Sequence, residues 1–322
     1  MLILWGNQSM QSKFFDTLIK KHDVVILDGA MATELEKHGA DLNHELWSAK
    51  LLTENPTLIK RVHLDYLQAG ADILTTASYQ ASFAGFAKQG YSKEKAAGLI
   101  KLATTIAIEA RDEFLYNNPK KKLFIAASLG PYGATLGDGS EYRGDYGLTV
   151  EELMEFHRER MAVLAASGAD LIACETIPCP EEALALIRLL KEFPDTKAWI
   201  SFSCRNETEV SNGASFADCA ALVNDSEQVV AVGVNCTAPQ FVESLVRIAI
   251  SVTDKPVLAY PNKGGAYDSK TKCWLPASTY TDFTQEAIRW RNAGAMLIGG
   301  CCRTSPDDIK KIVYGLNHID SN

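Results

Sequence analysis

Gly168-Ala169-Asp170-Leu171-Ile172-Ala173-Cys174-Glu175-Thr176 contains the whole unit from which the fold is built. A glycine suited to end a helix in the left-handed conformation leads into a short apolar run that finishes on a carboxylate. The run has strand length but no polar alternation, so it reads as a parallel strand covered on both faces. The same step recurs at Gly70-Ala71-Asp72 and Gly294-Ala295-Met296. Working outward, runs of this kind occupy Val24–Asp28, Asp72–Ala77, Leu123–Leu129, Asp170–Glu175, Ala198–Ser203, Val229–Cys236, Val257–Pro261 and Met296–Cys301. Helical spacing fills the intervals, at Pro56–Ala69, Lys93–Tyr116, Val150–Ser167, Pro180–Phe193, Phe216–Val223, Pro239–Val252, Thr279–Ala293 and Pro306–Tyr314. Capping signals open two of these, Thr149 ahead of Glu151-Glu152 and Ser305 ahead of Pro306-Asp307-Asp308.

Eight strand–helix units in 322 residues predict an α/β chain that folds as a single (β/α)8 TIM barrel, one domain over residues 1–322. A tandem of two α/β domains is disfavoured, because no linker rich in Pro, Gly or Ser separates two halves. A composition of 47% hydrophobic and 22% charged residues excludes disordered and collagen-like classes. The balance of 32 Lys+Arg against 40 Asp+Glu, a net charge of -8, repels phosphate backbones, so no nucleic-acid partner is expected. No apolar run approaches the roughly 18 residues of a membrane helix, so no membrane partner is expected either. The apolar patch Met1-Leu2-Ile3-Leu4 has no basic flank before it and no long apolar region after it, which argues against a secretory signal. Eight cysteines are too sparse for a disulfide scaffold, and the adjacent Cys301-Cys302 are poorly placed to bridge each other. Reduced thiols in a soluble, cytoplasmic protein are expected.

In such a barrel the active site lies at the carboxyl ends of the strands. Those ends read Asp28-Gly29-Ala30-Met31, Thr75-Thr76-Ala77-Ser78-Tyr79, Cys174-Glu175-Thr176, Asn235-Cys236, Tyr260-Pro261-Asn262 and Gly299-Gly300-Cys301-Cys302. Barrel closure brings the sixth and eighth strands near one another, so Cys236 can meet Cys301 and Cys302. Three thiolates around one ion point to zinc, and three ligands leave a fourth position open. None of the histidines at 22, 38, 44, 63, 157 and 318 falls at a strand end to close it. A free thiol titrates near about 8.5, and coordination deprotonates it, so such a site activates a thiol nucleophile. Glu175, a carboxylate ending an apolar strand, calls for a cation, and an amino-acid ammonium would serve. Backbone N–H groups of Gly29-Ala30-Met31, opening a helix, would hold the matching carboxylate. Cys174, Cys179, Cys204, Cys219 and Cys273 read as ordinary core thiols, and Asp28 taken alone reads equally well as a turn carboxylate.

Several segments match one family: Leu27-Asp28-Gly29-Ala30-Met31-Ala32-Thr33-Glu34-Leu35, Leu46-Trp47-Ser48-Ala49-Lys50, Thr76-Ala77-Ser78-Tyr79-Gln80-Ala81, Gly130-Pro131-Tyr132-Gly133-Ala134, Asp138-Gly139-Ser140-Glu141-Tyr142, Cys174-Glu175-Thr176, Gly233-Val234-Asn235-Cys236, Tyr260-Pro261-Asn262 and Gly299-Gly300-Cys301-Cys302-Arg303-Thr304. With them the chain resembles the homocysteine S-methyltransferases, and looks closest to their bacterial S-methylmethionine branch. The resemblance implies Cys236, Cys301 and Cys302 as zinc ligands, with the homocysteine sulfur in the fourth position. It implies that Glu175 and the loop Asp28-Gly29-Ala30-Met31 hold the amino-acid end of homocysteine. Trp47, Ser78 and Tyr79 match positions near the methyl donor, and Asn262 approaches the metal when substrate is absent. No protein side chain is implied as a catalytic acid or base, since the activated thiolate is the nucleophile. The implied donor is a sulfonium, S-methylmethionine or S-adenosylmethionine, with betaine as the alternative.

Three other readings compete. Gly264-Gly265 and Gly299-Gly300 fall where phosphate-binding barrels hold their ligand, although the cysteines of the second loop argue against it. A Schiff-base aldolase has only Lys263 to offer, since Lys122 and Lys197 begin strands. A non-enzymatic zinc-binding or thiol-sensing barrel would use the cysteines without needing an open ligand position.

Overall fold

The structure is a computed structural model that describes residues 24–42, 47–265, 267–268, 273–274 and 282–318. The barrel strands are β1 (Val25–Ile26), β2 (Ile73–Thr75), β3 (Phe124–Leu129), β4 (Leu171–Ile177), β5 (Ala198–Phe202), β6 (Val229–Asn235), β7 (Val257–Tyr260) and β8 (Ala295–Ile298). All pair in parallel, in the order β1-β8-β7-β6-β5-β4-β3-β2. A parallel bridge from Leu27 to Ile73 joins the two outer strands, with Asp28 N–H donating to Ile73 O at 3.1 Å and Asp72 N–H to Ile26 O at 2.8 Å. The result is the expected (β/α)8 barrel.

Most strands stop short of the apolar runs, because the chain leaves β geometry where its side chains turn polar, whereas β4 runs on to Ile177 and so contains Glu175, which was expected at its end. Asp28, Cys236 and Cys301 all lie beyond the last paired residue of their strands. Alternate residues of each strand serve two separate cores, which is why the runs look continuous. On β3, Phe124 and Ala126 join the barrel interior with Trp199 and Leu258, whereas Ile125, Ala127 and Leu129 pack under the helices. Each large aliphatic side chain so buried contributes roughly 1.5–3 kcal/mol. Trp199 Nε1 donates to the Tyr260 hydroxyl at 3.1 Å, filling the barrel axis with a polar pair.

The helix signals hold at the residues that carried them. Pro56–Ala69 and Phe283–Ala293 end at Gly70 and Gly294, with φ of 108° and 111°, in the left-handed region. Capping boxes form at Thr149–Glu152 and Ser305–Asp308. The last helix but one begins at Phe283 instead of Thr279, capped by Asp282, whose carboxylate accepts Thr284 N–H at 3.0 Å; residues 279–281 lie outside the described residues, as do His22 and His44. Among the described residues no helix is long and apolar enough to cross a membrane. The excursion after β1 contains the helix Met31–Lys37 and a 3-10 turn at Trp47–Lys50, and that after β3 contains 3-10 turns at Tyr132–Thr135 and Ser140–Tyr142.

Candidate active site and metal centre

The loops after β6, β7 and β8 continue the sheet's hydrogen bonding past the strand ends. Cys236 N–H donates to Tyr260 O (3.2 Å), Cys301 N–H to Pro261 O (2.7 Å), and Lys263 N–H to Cys302 O (3.0 Å). This ladder holds three cysteines that are remote in sequence on one rim. Cys236 Sγ and Cys302 Sγ stand 3.4 Å apart, and the Sγ atoms of Cys236, Cys301 and Cys302 all lie within 4.8 Å of one another. Tetrahedral zinc with Zn–S of about 2.3 Å needs sulfurs about 3.8 Å apart, so the set fits the ion. The described non-glycine residues with positive φ are Thr176 (61°), Cys236 (46°) and Arg303 (68°). All adjoin or belong to this rim, the pattern of backbone strain kept at a functional site.

The thiols share protons unevenly. Hydrogen bonds from Cys301 and then Cys302 hold the Cys236 thiol well below the ordinary range, helped by Tyr142, whose hydroxyl lies 3.1 Å from its sulfur. Cys301 and Cys302 are pushed up in return by their bonds to Cys236. Burial, helped by the charges of Asp218 and Glu181, pushes the Cys219 thiol, away from the cluster, up to about 12. Cys236 is thus the thiol held nearest its thiolate, the form a soft dication binds.

Two carboxylates sit on the same rim. Asp28 accepts hydrogen bonds from Thr75 N–H (2.7 Å) and the Thr75 hydroxyl (2.9 Å), and burial nonetheless raises it well above the usual carboxylate range. Glu175 accepts from the Ser128 hydroxyl and is raised to about 7, first by burial and then by the charge of Cys301. The cation expected beside Glu175 is present only at a distance. Arg160, also buried, acts on Glu175 electrostatically while its guanidinium donates to Gly130 O (3.0 Å), Ser78 O (3.2 Å) and Tyr79 O. Tyr260 also hydrogen-bonds Glu175, but no described basic side chain does, so its carboxyl has no cation bonded to it.

The other predicted residues are distributed as follows. Gly29 lies where an added Cβ would stand 2.8 Å from Thr304 Oγ1, so only glycine lets the β1 and β8 loops meet. Ala30 N–H donates to Thr304 Oγ1 at 3.2 Å and Thr304 donates to Cys301 O at 2.6 Å, so the helix start is tied to the cysteine loop instead of presenting that N–H to a ligand. Met31 packs against the helix-layer core. The Ser78 hydroxyl donates to Ser128 O at 2.7 Å, bracing the β2 loop on β3. The Tyr79 hydroxyl bonds Thr176 and feels Glu141, Cys236 and Glu175. Asn262 Nδ2 donates to Cys236 O (3.2 Å) and its Oδ1 accepts Gly264 N–H (2.8 Å), so the amide spans two loops. Trp47 opens its 3-10 turn, and its side chain lies outside the described residues. Lys263 is paired with Asp308 at 2.8 Å, which removes the Schiff-base candidate from consideration.

Three contributors escaped the sequence reading: Arg160, Tyr142 and the side chain of Asn235. Arg160 was detectable as an arginine inside the apolar stripe Leu153, His157, Met161, Leu164 of its helix. Asn235 is fully buried, and its Oδ1 accepts Thr176 N–H (2.6 Å) and the Ser201 hydroxyl (2.8 Å) while Nδ2 points to Cys301 Sγ (3.8 Å).

A family model described as homocysteine S-methyltransferase matches residues 25–315, nearly the whole described barrel. The chain belongs to the homocysteine S-methyltransferase family. As a family member it is an enzyme of the methyltransferase class. It is 52% identical over 301 residues to homocysteine S-methyltransferase YbgG of Bacillus subtilis, covering 92% of this chain and 95% of that one. Selenocysteine Se-methyltransferase of Brassica oleracea is 48% identical over 302 residues, covering 89% and 87%. The metallated form of the Escherichia coli homocysteine methyltransferase MmuM superposes with a TM-score of 0.84 at 44% identity, covering 92% of this chain and 97% of that one.

Proposed function

We propose that this protein transfers a methyl group from S-methylmethionine to homocysteine, with Zn2+ held by Cys236, Cys301 and Cys302. The observation that carries this reading is the three-sulfur cluster facing two buried carboxylates on one barrel rim. When bound, zinc supplies the Lewis acidity that keeps the acceptor sulfur a thiolate at neutral pH. Glu175, and Asp28 behind it, receive the ammonium of homocysteine and set its sulfur beside the cysteines. The reaction breaks the donor's S–CH3 bond and forms the new S–CH3 bond in line. The bonding pair stays on the donor sulfur, which leaves as a neutral thioether, and the acceptor's thiol proton is lost to solvent. Because opposite charges annihilate, the buried, water-poor rim favours the transition state without an acid or base on the donor. The ring of Tyr79 supplies cation–π attraction to the sulfonium. Cysteine thiols 3.4 Å apart need a reducing compartment such as the cytoplasm to stay reduced.

The test is methionine formation from homocysteine with S-methylmethionine, S-adenosylmethionine or betaine, together with metal analysis, before and after chelation and in Cys301→Ala. Turnover with S-methylmethionine that needs about one equivalent of zinc and disappears in both treatments is the expected result. Preference for betaine overturns the donor assignment. Full zinc without turnover from any donor moves the protein to the zinc-binding or thiol-sensing class.

A further inference from the structure

One buried carboxylate on the rim is not used by the chemistry above. Glu141 lies in the turn Ser140–Tyr142 after β3, 8% exposed, and among the described residues its Oε2 has no hydrogen-bond partner. The turn is held firmly. Glu141 O accepts the Ser203 hydroxyl at 3.2 Å, and a Cβ on Gly133 would stand 2.5 Å from Glu141 N, so the backbones are in close contact. The cation nearest in sequence is engaged elsewhere, since Arg143 binds Asp138 Oδ2 at 3.2 Å and Ser140 Oγ at 2.6 Å. Of the charges acting on the buried Tyr79 hydroxyl, that of Glu141 is the largest, ahead of Cys236 and Glu175. The next residue, Tyr142, places its hydroxyl 3.1 Å from Cys236 Sγ. Glu141 thus adjoins, in one tight turn, the residue that touches Cys236, on a different loop from Asp28 and Glu175.

Two amino-acid substrates that react sulfur to sulfur need two separate amino-acid anchors. Asp28 and Glu175 provide one for the acceptor. A buried carboxylate oxygen without a donor requires N–H groups to complete it, and a sulfonium centre has none, whereas an α-ammonium has three. We infer that Glu141 receives the α-ammonium of the methyl donor, so that this wall selects amino-acid sulfoniums over methyl donors that lack an amine. The inference rests on the methyl-transfer reading and adds the specificity determinant of its second substrate. Burial raises the Glu141 carboxyl to about 7, which ionises it readily once an ammonium arrives.

The experiment compares S-methylmethionine with its des-amino analogue, 4-(dimethylsulfonio)butanoate, on zinc-loaded wild-type protein and Glu141→Gln. Steady-state KM and calorimetric binding are both measured. The expected result is about a ten- to hundredfold weakening of S-methylmethionine in Glu141→Gln, with the homocysteine KM within about twofold of wild type. The des-amino donor should be weak for wild type by a similar factor and insensitive to the substitution, because the two deletions remove one interaction. Glu141→Asp, which keeps the charge, should restore part of the loss, and metal content and melting temperature should match wild type. Equal weakening of both donors, or wild-type preference for neither, overturns the assignment of Glu141. A binding contrast that persists while no donor supports turnover overturns the methyl-transfer reading and leaves the ammonium site standing.

Discussion

Glu175→Gln should stabilise the metal-free protein at alkaline pH while disabling it. Glu175 is pushed from 4.5 to about 7, chiefly by burial. An acid whose folded-state value is raised is held neutral by the fold. Its stability contribution is complete below about pH 4.5 and is lost as pH rises through about 7. A shift of that size is worth about 3 kcal/mol when fully expressed, and about 2.5 kcal/mol of it falls between pH 5 and pH 8. Glutamine has the same shape, keeps an oxygen for the Ser128 hydroxyl to bond, and never ionises. Urea unfolding of the metal-free protein followed by tryptophan fluorescence at pH 5, 6.5 and 8 measures the gap between variant and wild type. That gap should move toward the variant by about 2.5 kcal/mol over the range with unchanged m-values. The same substitution should raise the homocysteine KM about tenfold or more, since the charged acceptor of the ammonium is gone. A gap constant to within about 0.5 kcal/mol would show that Glu175 ionises freely in the fold, and the argument from burial would fail.

Cys302→Ala should leave two sulfurs, so zinc retained after dialysis should fall from about one equivalent to near zero, read by atomic absorption. His63 is buried with both ring nitrogens unpartnered and is lowered from 6.5 to about 3 by burial. Its contribution is complete above about pH 6.5 and is lost as pH falls, by about 2 kcal/mol between pH 7 and 5. His63→Leu should remove that acid sensitivity in urea titrations. Arg160→Lys replaces a fork that reaches three carbonyls with one ammonium, so unfolding free energy should fall by about 2–4 kcal/mol. Its kcat/KM should fall even at temperatures where circular dichroism shows the fold intact, because Tyr79 loses its backbone anchor.

The barrel was legible because its signals are local. Gly70 and Gly294 end helices where the Gly-Ala steps placed them, and Thr149 and Ser305 cap where their acidic partners stood three residues on. The cysteine trio was legible for a different reason: barrel closure converts the order of strands into a circle, so residues at strand ends share a rim wherever they lie in the chain. The role of Ala30 was not legible. Its N–H was expected to await a substrate carboxylate and is instead taken by Thr304, a residue 274 positions away. Arg160 and Asn235 escaped for the same reason, since each acts through loops brought together only by folding.

Hydrophobic periodicity, turn residues and strand-end chemistry depend on neighbours within a few residues, and they were enough to read the barrel and the cysteine cluster at its strand ends. The proton sharing among Cys236, Cys301 and Cys302, the rise of Glu175 to about 7 and the unpartnered oxygen of Glu141 arise from burial and from charges that meet across the rim. Burial and distance between remote residues are properties of the packed barrel, and so only the tertiary structure could decide which polar groups are satisfied and which are left without a partner.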